Sequence, residues 1–174
     1  MTDVVHLEEE EDDGDVYPPW NFTWVVRDRL AAMACPHRPA HLRFLAEQGI
    51  CHLITLSPEK KPPAHLCDEL SYYNVAVDEF EAPTIKQIEK FIEICRKCTK
   101  RGQAIGVHCR MGRGRTGVMA ACYLMRFGGQ CPERAVTTVR MSRPGSIETL
   151  DQEKIIHTYY DYMMGDNQTD LDCQ

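Results

Sequence analysis

The sequence has no surplus of positive charge: Lys and Arg number 20 against 26 Asp and Glu, a net charge of -6. That balance argues against general nucleic-acid binding, where affinity rests on cations set against phosphates. No apolar run approaches the roughly 18 residues that span a bilayer, so no membrane partner is expected. The opening residues are acidic and polar, unlike a secretory signal. Nine cysteines without such a signal read as free thiols in a reducing compartment, the cytoplasm and also the nucleus. Cys95 and Cys98 form a C-x-x-C, but no second cysteine or histidine pair follows at zinc spacing. They and Cys122 are therefore expected in the core, and no metal or other cofactor is implied. Internal repeats and long linkers are absent.

What is present fits one domain: 174 residues, 43 % of them apolar, enough to bury a core. Residues 1–19 carry the run Glu8, Glu9, Glu10, Glu11, Asp12, Asp13 and Asp15 and read as a solvated, disordered tail. Residues 20–164 form the domain, and residues 165–174 read as a second, polar tail. Within the domain, strands are expected around residues 24–26 and 30–33, a helix over 39–48, and a buried β-branched strand over 50–56. Further strands are expected over 72–77 and 103–108. Helical spacing of Ile85, Ile88, Phe91, Ile92, Cys95 and Cys98 marks a helix over 84–100, with Gly102 as its stop. Helices are also expected over 115–127, 132–141 and 147–164, with Ser146 as N-cap of the last. Strands alternating with helices imply an α/β three-layer sandwich whose central sheet is mostly parallel and flanked by helices.

The chemistry sits between a strand and a helix, in Val107-His108-Cys109-Arg110-Met111-Gly112-Arg113-Gly114-Arg115-Thr116-Gly117. A loop from a strand end into a helix start can turn successive N–H groups inward, and with the positive helix end these make an anion site. Gly112 and Gly114 are read as supplying backbone angles that other residues resist. The planar fork of Arg115 can grip two phosphate oxygens. The same positive field favours a thiolate at the loop's start, where Cys109 stands. A thiolate facing a held phosphoryl group gives a phosphocysteine intermediate, with the amides and Arg115 stabilising the transferring oxygens. His108 can bond nearby backbone and hold the loop, and Thr116 can donate its hydroxyl to the Cys109 sulfur. The blander readings are a satisfied buried histidine and a helix-start residue. Arg110, Met111 and Arg113 radiate from the loop and rim the pocket.

This string resembles the signature of the cysteine-dependent protein tyrosine phosphatase superfamily. Asn21-Phe22-Thr23-Trp24-Val25, Arg29-Leu30-Ala31, Pro39-Ala40-His41 and Arg143-Pro144-Gly145-Ser146-Ile147-Glu148-Thr149 extend the likeness to its atypical dual-specificity members over roughly residues 20–163. The resemblance implies a small metal-free catalytic domain without docking modules, acting on phosphotyrosine and also phosphoserine and phosphothreonine. It implies an aspartate general acid about thirty residues before the cysteine. Two carboxylates compete there: Asp78 has the family's residue type, and Glu79 has its alignment, directly before aromatic Phe80. Side-chain type favours Asp78. A glutamine after the arginine-proline-glycine segment orients the hydrolytic water in relatives, which points to Gln152; a helix-surface glutamine is the alternative.

Other uses of such a loop are a phosphatase for phosphoinositides or RNA 5′ ends, a phosphoresidue-binding module, and an arsenate reductase or sulfurtransferase. Inositide-specific relatives carry extra loop lysines where this chain has arginines. Intact Cys109 and Arg115 speak against pure binding, and the reductase arrangement puts its cysteine near the N-terminus. The expectation is a monomeric phosphatase whose partners are phosphorylated proteins or peptides.

Overall fold

The computed structural model describes residues 14–169. The acidic residues 8–13 and the last five residues lie outside that range, so the expected tails are described only in part. Five strands build one sheet: β1 (Thr23–Val26), β2 (Leu30–Ala34), β3 (Ile50–Thr55), β4 (Ser71–Asn74) and β5 (Ala104–Cys109). Their order is β1-β2-β5-β3-β4. Only β1 runs antiparallel to its neighbour; the other pairs are parallel. Five helices cover the faces: α1 (Pro39–Glu47), α2 (Ile85–Lys100), α3 (Gly114–Gly128), α4 (Pro132–Ser142) and α5 (Leu150–Thr169). This is the expected sandwich.

Period-two alternation divides the core. Leu30, Ala32, Ile54, Leu56, Ile105 and Val107 face the larger cluster, filled by α2, α3, α4 and α5. Ala31, Met33, Leu53 and Ala104 face the smaller one, closed by Leu42 and Leu45 of α1. Cys95, Cys98 and Cys122 are buried in the larger cluster, as their spacing suggested. Each fully buried Leu, Ile or Phe contributes on the order of 1.5–3 kcal/mol, so the central strand β5 is anchored from both sides. Cys109, its last residue, pairs with Ala34 at the end of β2, and His108 pairs with Thr55 at the end of β3. The carboxyl ends of three parallel strands thus converge on one edge, where ligands of such sheets bind.

Two element ends differ from expectation. The strand expected over 72–77 stops at Asn74, because the register with β3 slips there: Val75 N–H bonds to Thr55 and Val77 N–H to Leu56, the adjacent residue, where an unbroken parallel ladder would advance by two. Buried Val75 and Val77 carry the chain over the end of β3 toward the site. The last helix begins at Leu150, not residue 147, since Ile147 has φ of +60°. Ser146 is therefore not its N-cap. Thr149 holds that place: its Oγ1 accepts from Gln152 N–H, and Gln152 Oε1 accepts from Thr149 N–H, a reciprocal capping pair. The helix runs on to Thr169, past the expected end at Met164.

Candidate active site

Cys109 closes β5 and Gly114 opens α3, so residues 110–113 form the whole connection. The Cys109 sulfur is nearly buried and accepts the Gly112 N–H at 3.2 Å. Gly112 has φ of +70°, and a Cβ there would stand 2.4 Å from the Met33 carbonyl, so glycine is required twice over. Gly114 has no positive φ; a Cβ there would come 2.5 Å from Glu148 Oε2 and 2.8 Å from Gln152 Nε2 and would displace those side-chain ends. The expectation that both glycines supply special angles is corrected to that extent.

Arg115, in the first turn of α3, is 3 % exposed. Its guanidinium donates to the Val77 carbonyl at 2.8 Å and to both carboxylate oxygens of Glu59, at 3.0 and 2.6 Å. This fork holds the planar group in one orientation. In return the Arg115 bonds hold the Glu59 carboxyl below the usual carboxylate range, against the opposing effect of partial burial.

His108 is fully buried. Its Nδ1 lies 3.2 Å from the Cys109 carbonyl and its Nε2 2.7 Å from Thr55 Oγ1. A carbonyl only accepts, so Nδ1 carries the proton and the Thr55 hydroxyl donates to Nε2. Burial lowers the imidazole pKa to about 4, opposed by the carbonyl bond, so the ring is neutral at physiological pH. These two bonds tie the ring to the end of β5 and to the end of β3. The Thr116 hydroxyl does not bond the sulfur: it is buried without a hydrogen-bond partner among the described residues, and the Gly112 amide holds Sγ instead.

A family model described as "PTP-SAK: Swiss Army Knife protein, DSP-PTPase phosphatase domain" matches residues 19–156. The chain belongs to this family. Among curated relatives of the phosphatase domain, human "Dual specificity protein phosphatase CDC14C" is 24 % identical over 150 residues, covering 78 % of this chain and 33 % of the relative. "Phosphatidylglycerophosphate phosphatase PTPMT1" of Arabidopsis thaliana is 29 % identical over 130 residues, covering 70 % and 38 %. The domain spans about a third of the length of these relatives. Among solved structures, human DUSP28 superposes with TM-score 0.72 at 19 % identity, covering 86 % of this chain and 99 % of that one. The structure of PTPMT1 gives 0.74 at 20 % identity, covering 85 % and 99 %. These superpositions show the shared fold.

The cleft of the phosphatase domain is narrow, about 30 Å³, and is lined by Cys109, Arg110, Met111, Arg113, Gly114 and Arg115 of the loop and by Glu79, Phe80 and Glu148. Of the two competing carboxylates, Glu79 lines it. Asp78 is exposed outside it, and its carbonyl accepts Glu81 N–H to close a tight turn. Phe80 takes φ of +64° within that turn. Residue type favoured Asp78; the turn puts Glu79 over the sulfur's cleft. Glu79 Oε1 accepts from Arg110 Nε at 2.6 Å and contacts NH2 at 2.5 Å, while Oε2 has no partner among the described residues. Arg113 packs its guanidinium over the Trp20 ring, 5.2 Å from the centroid.

Gln152 is fully buried, so it is not a surface glutamine. Its Oε1 accepts from Glu148 and Thr149 N–H, and its Nε2 donates to the Glu81 carbonyl at 3.2 Å, joining the loop after β4 to the loop before α5.

Four residues escaped the sequence reading of roles: Glu59, Glu148, Asn21 and Arg143. Arg143 is fully buried and donates to the carbonyls of Asn21, Ala32 and Gly112 and to Thr23 Oγ1, at 2.6–2.8 Å. Burial lowers its pKa to about 10, opposed by the nearby Cys109 sulfur, so it remains a cation. Asn21 Nδ2 adds bonds to the Met111 and Gly112 carbonyls. Both residues stand in the segments that carried the family resemblance, which was the only signal for them. Glu59 carried no signal beyond being a carboxylate just past the end of β3.

Proposed function

We propose that this chain is a protein phosphatase that hydrolyses phosphotyrosine, and also phosphoserine and phosphothreonine, through a phosphocysteine intermediate. The observation that carries the reading is a nearly buried sulfur held by a loop amide at the start of α3, beside a guanidinium fixed by Glu59 and Val77. In the first step the Cys109 thiolate forms the S–P bond while the bond from phosphorus to the leaving oxygen breaks. Glu79, through Oε2, gives that oxygen its proton. In the second step water attacks phosphorus, its proton passes to the Glu79 carboxylate, and the S–P bond breaks to return the thiolate. Gln152 orients that water through the amide hydrogen not used by Glu81. Arg115 and the inward amides hold the three phosphoryl oxygens throughout.

The finer likeness is to the small VHZ type of atypical dual-specificity phosphatase, supported by the quoted segments around Asn21, Pro39 and Arg143. A monomer of the cytoplasm or nucleus goes with this reading, because a thiolate nucleophile among nine cysteines requires a reducing compartment. The test is Cys109→Ser: aryl phosphate hydrolysis should vanish while vanadate binding remains. Turnover near wild type would overturn the mechanism. One relative is named for a lipid phosphate, so a panel of phosphopeptides, phosphoinositides and phosphatidylglycerophosphate is the second arm. A strong preference for the lipids would overturn the protein-phosphatase reading.

A further inference from the structure

At the end of the sheet opposite the catalytic edge lies a cavity of about 410 Å³, walled by the β1–β2 turn and the last turns of α2 and α3. Val26, Tyr123, Leu124 and Phe127 make its surface apolar, and the rings of Tyr123 and Phe127 pack 4.7 Å apart. A second cavity of about 230 Å³ adjoins it, since Arg29 and Thr99 line both. This second space is polar, with Arg27, Asp28 and Gln103 in its walls. Arg29 and Gln103 immediately precede β2 and β5, so the site sits a full strand length from Cys109. The apolar cavity alone falls in the range of small-molecule sites, roughly 300–1,000 Å³.

Arg29 stands at the junction of the two spaces. Its backbone is fixed on both sides: its N–H donates to the Val26 carbonyl at 3.0 Å, and its carbonyl accepts the Ile105 N–H at 2.9 Å. Its guanidinium makes no hydrogen bond or ion pair among the described residues. The carboxylate in the lining, Asp28, is held by Arg27 at 3.3 Å. Tyr123 supplies no countercharge, because burial raises its phenol pKa, against the opposing Thr99 hydroxyl. Gln103 is a second donor. Its Oε1 accepts the His52 Nε2–H at 2.8 Å, which leaves its amide N–H groups without an acceptor among the described residues.

Helix ends attract cations through their last carbonyls, and α2 and α3 both end at this site. Those carbonyls are occupied here: Thr99 accepts from Gly102 N–H and Leu124 from Gly129 N–H. The donors Arg29 and Gln103 therefore decide the sign of the ligand, and a planar guanidinium matches a planar carboxylate.

We propose that the paired cavities bind a small molecule with an apolar, ring-sized body and a carboxylate head. The body lies against Tyr123 and Phe127, and the head meets Arg29 and Gln103. The site is separate from the phosphatase chemistry and does not depend on it.

The experiment titrates the isotope-labelled full chain with phenylbutyrate, and in parallel with its neutral amide, phenylbutyramide, and follows backbone amide shifts by NMR. Saturable shifts are expected at Thr99, Gly102, Phe127 and Gly128, without comparable shifts at Gly112 and Arg113 of the phosphate loop. The acid should bind about fivefold more tightly than the amide, the upper end for an ion pair at a surface. Arg29→Gln should erase that difference and leave the affinity for the amide unchanged. Phe127→Ser should weaken both probes about tenfold, since part of a ring's apolar contact is lost. Unchanged shifts away from the cavity show that each variant is folded. Absence of saturable shifts at Thr99 and Phe127, equal affinity for acid and amide, or an acid preference that survives Arg29→Gln would each overturn the proposal. Shifts confined to Gly112 and Arg113 would place the probe in the catalytic cleft and overturn it as well.

Discussion

Two arginines of the loop segment each hold a glutamate, and the two pairs behave differently because of where they sit. The Arg115 side chain is 3 % exposed and its partner Glu59 34 %; for Arg110 and Glu79 the values are 44 % and 33 %. The buried guanidinium meets both oxygens of Glu59 and a backbone carbonyl, so its direction is set before substrate arrives. The more exposed one meets a single oxygen of Glu79 at the surface, where an ion pair contributes about 0.2–1 kcal/mol. The first pair preorganises the phosphoryl site. In the proposed mechanism the second must open, because a proton donor moves to the leaving oxygen.

The sharpest way to break this contrast is Arg115→Lys. A lysine keeps the charge but not the planar fork, and kcat/KM on an aryl phosphate should fall about 10²–10³-fold, the scale of losing a preorganised oxyanion donor. A rate within tenfold of wild type would mean that the fork is not the phosphoryl grip. Next in size is Glu79→Gln. It should slow phenyl phosphate about 10²-fold and an activated dinitrophenyl phosphate only a few-fold, because a good leaving group needs little protonation. Asp78→Asn should leave both rates close to wild type. The reverse pattern would return the acid's role to Asp78.

Glu59→Gln tests the buried pair from its other side. A glutamine offers one acceptor oxygen in place of two, so Arg115 loses part of its alignment and kcat/KM should drop about tenfold. The same variant has a stability signature. The folded state holds the Glu59 carboxyl below its ordinary value, so this pair stabilises above the unfolded pKa of about 4.3 and the contribution is lost as pH falls through the lower folded value. Urea midpoints should therefore decline less between pH 5 and about pH 3 in Glu59→Gln than in wild type. Identical slopes would show that the pair adds nothing to acid stability. The smallest effect belongs to Arg110→Gln, which should shift KM or kcat for small aryl phosphates by about two- to fivefold. A loss as large as that of Arg115→Lys would mean that exposure does not separate the two pairs.

The legible parts of this molecule are those whose partners are close in the chain. The strand ending at Cys109, the turn at Gly112 and the helix from Gly114 lie within a few residues of one another, and local backbone geometry couples them. Their spacing alone pointed to an anion site with a nucleophile at its mouth. Periodicity likewise placed α2, opened by the capping pair Thr84 and Gln87. The misread start of α5 has a local cause of another kind. Ser146 and Thr149 are both good capping residues, and the positive φ of Ile147 selects the second.

What the sequence by itself determined, then, is the sandwich and the strand, tight loop and helix around Cys109, since each follows from residues adjacent along the chain. What only the tertiary structure decided is who holds that loop. Glu59 reaches Arg115 across 56 positions, and Arg143 reaches Asn21 across 122. That Glu79 and not Asp78 lines the cleft turns on one tight turn, closed by Glu81 N–H and the Asp78 carbonyl. A buried guanidinium must find its acceptors wherever the sheet register brings carbonyls and carboxylates together, and that register is set by the whole core, not by any stretch of neighbouring residues.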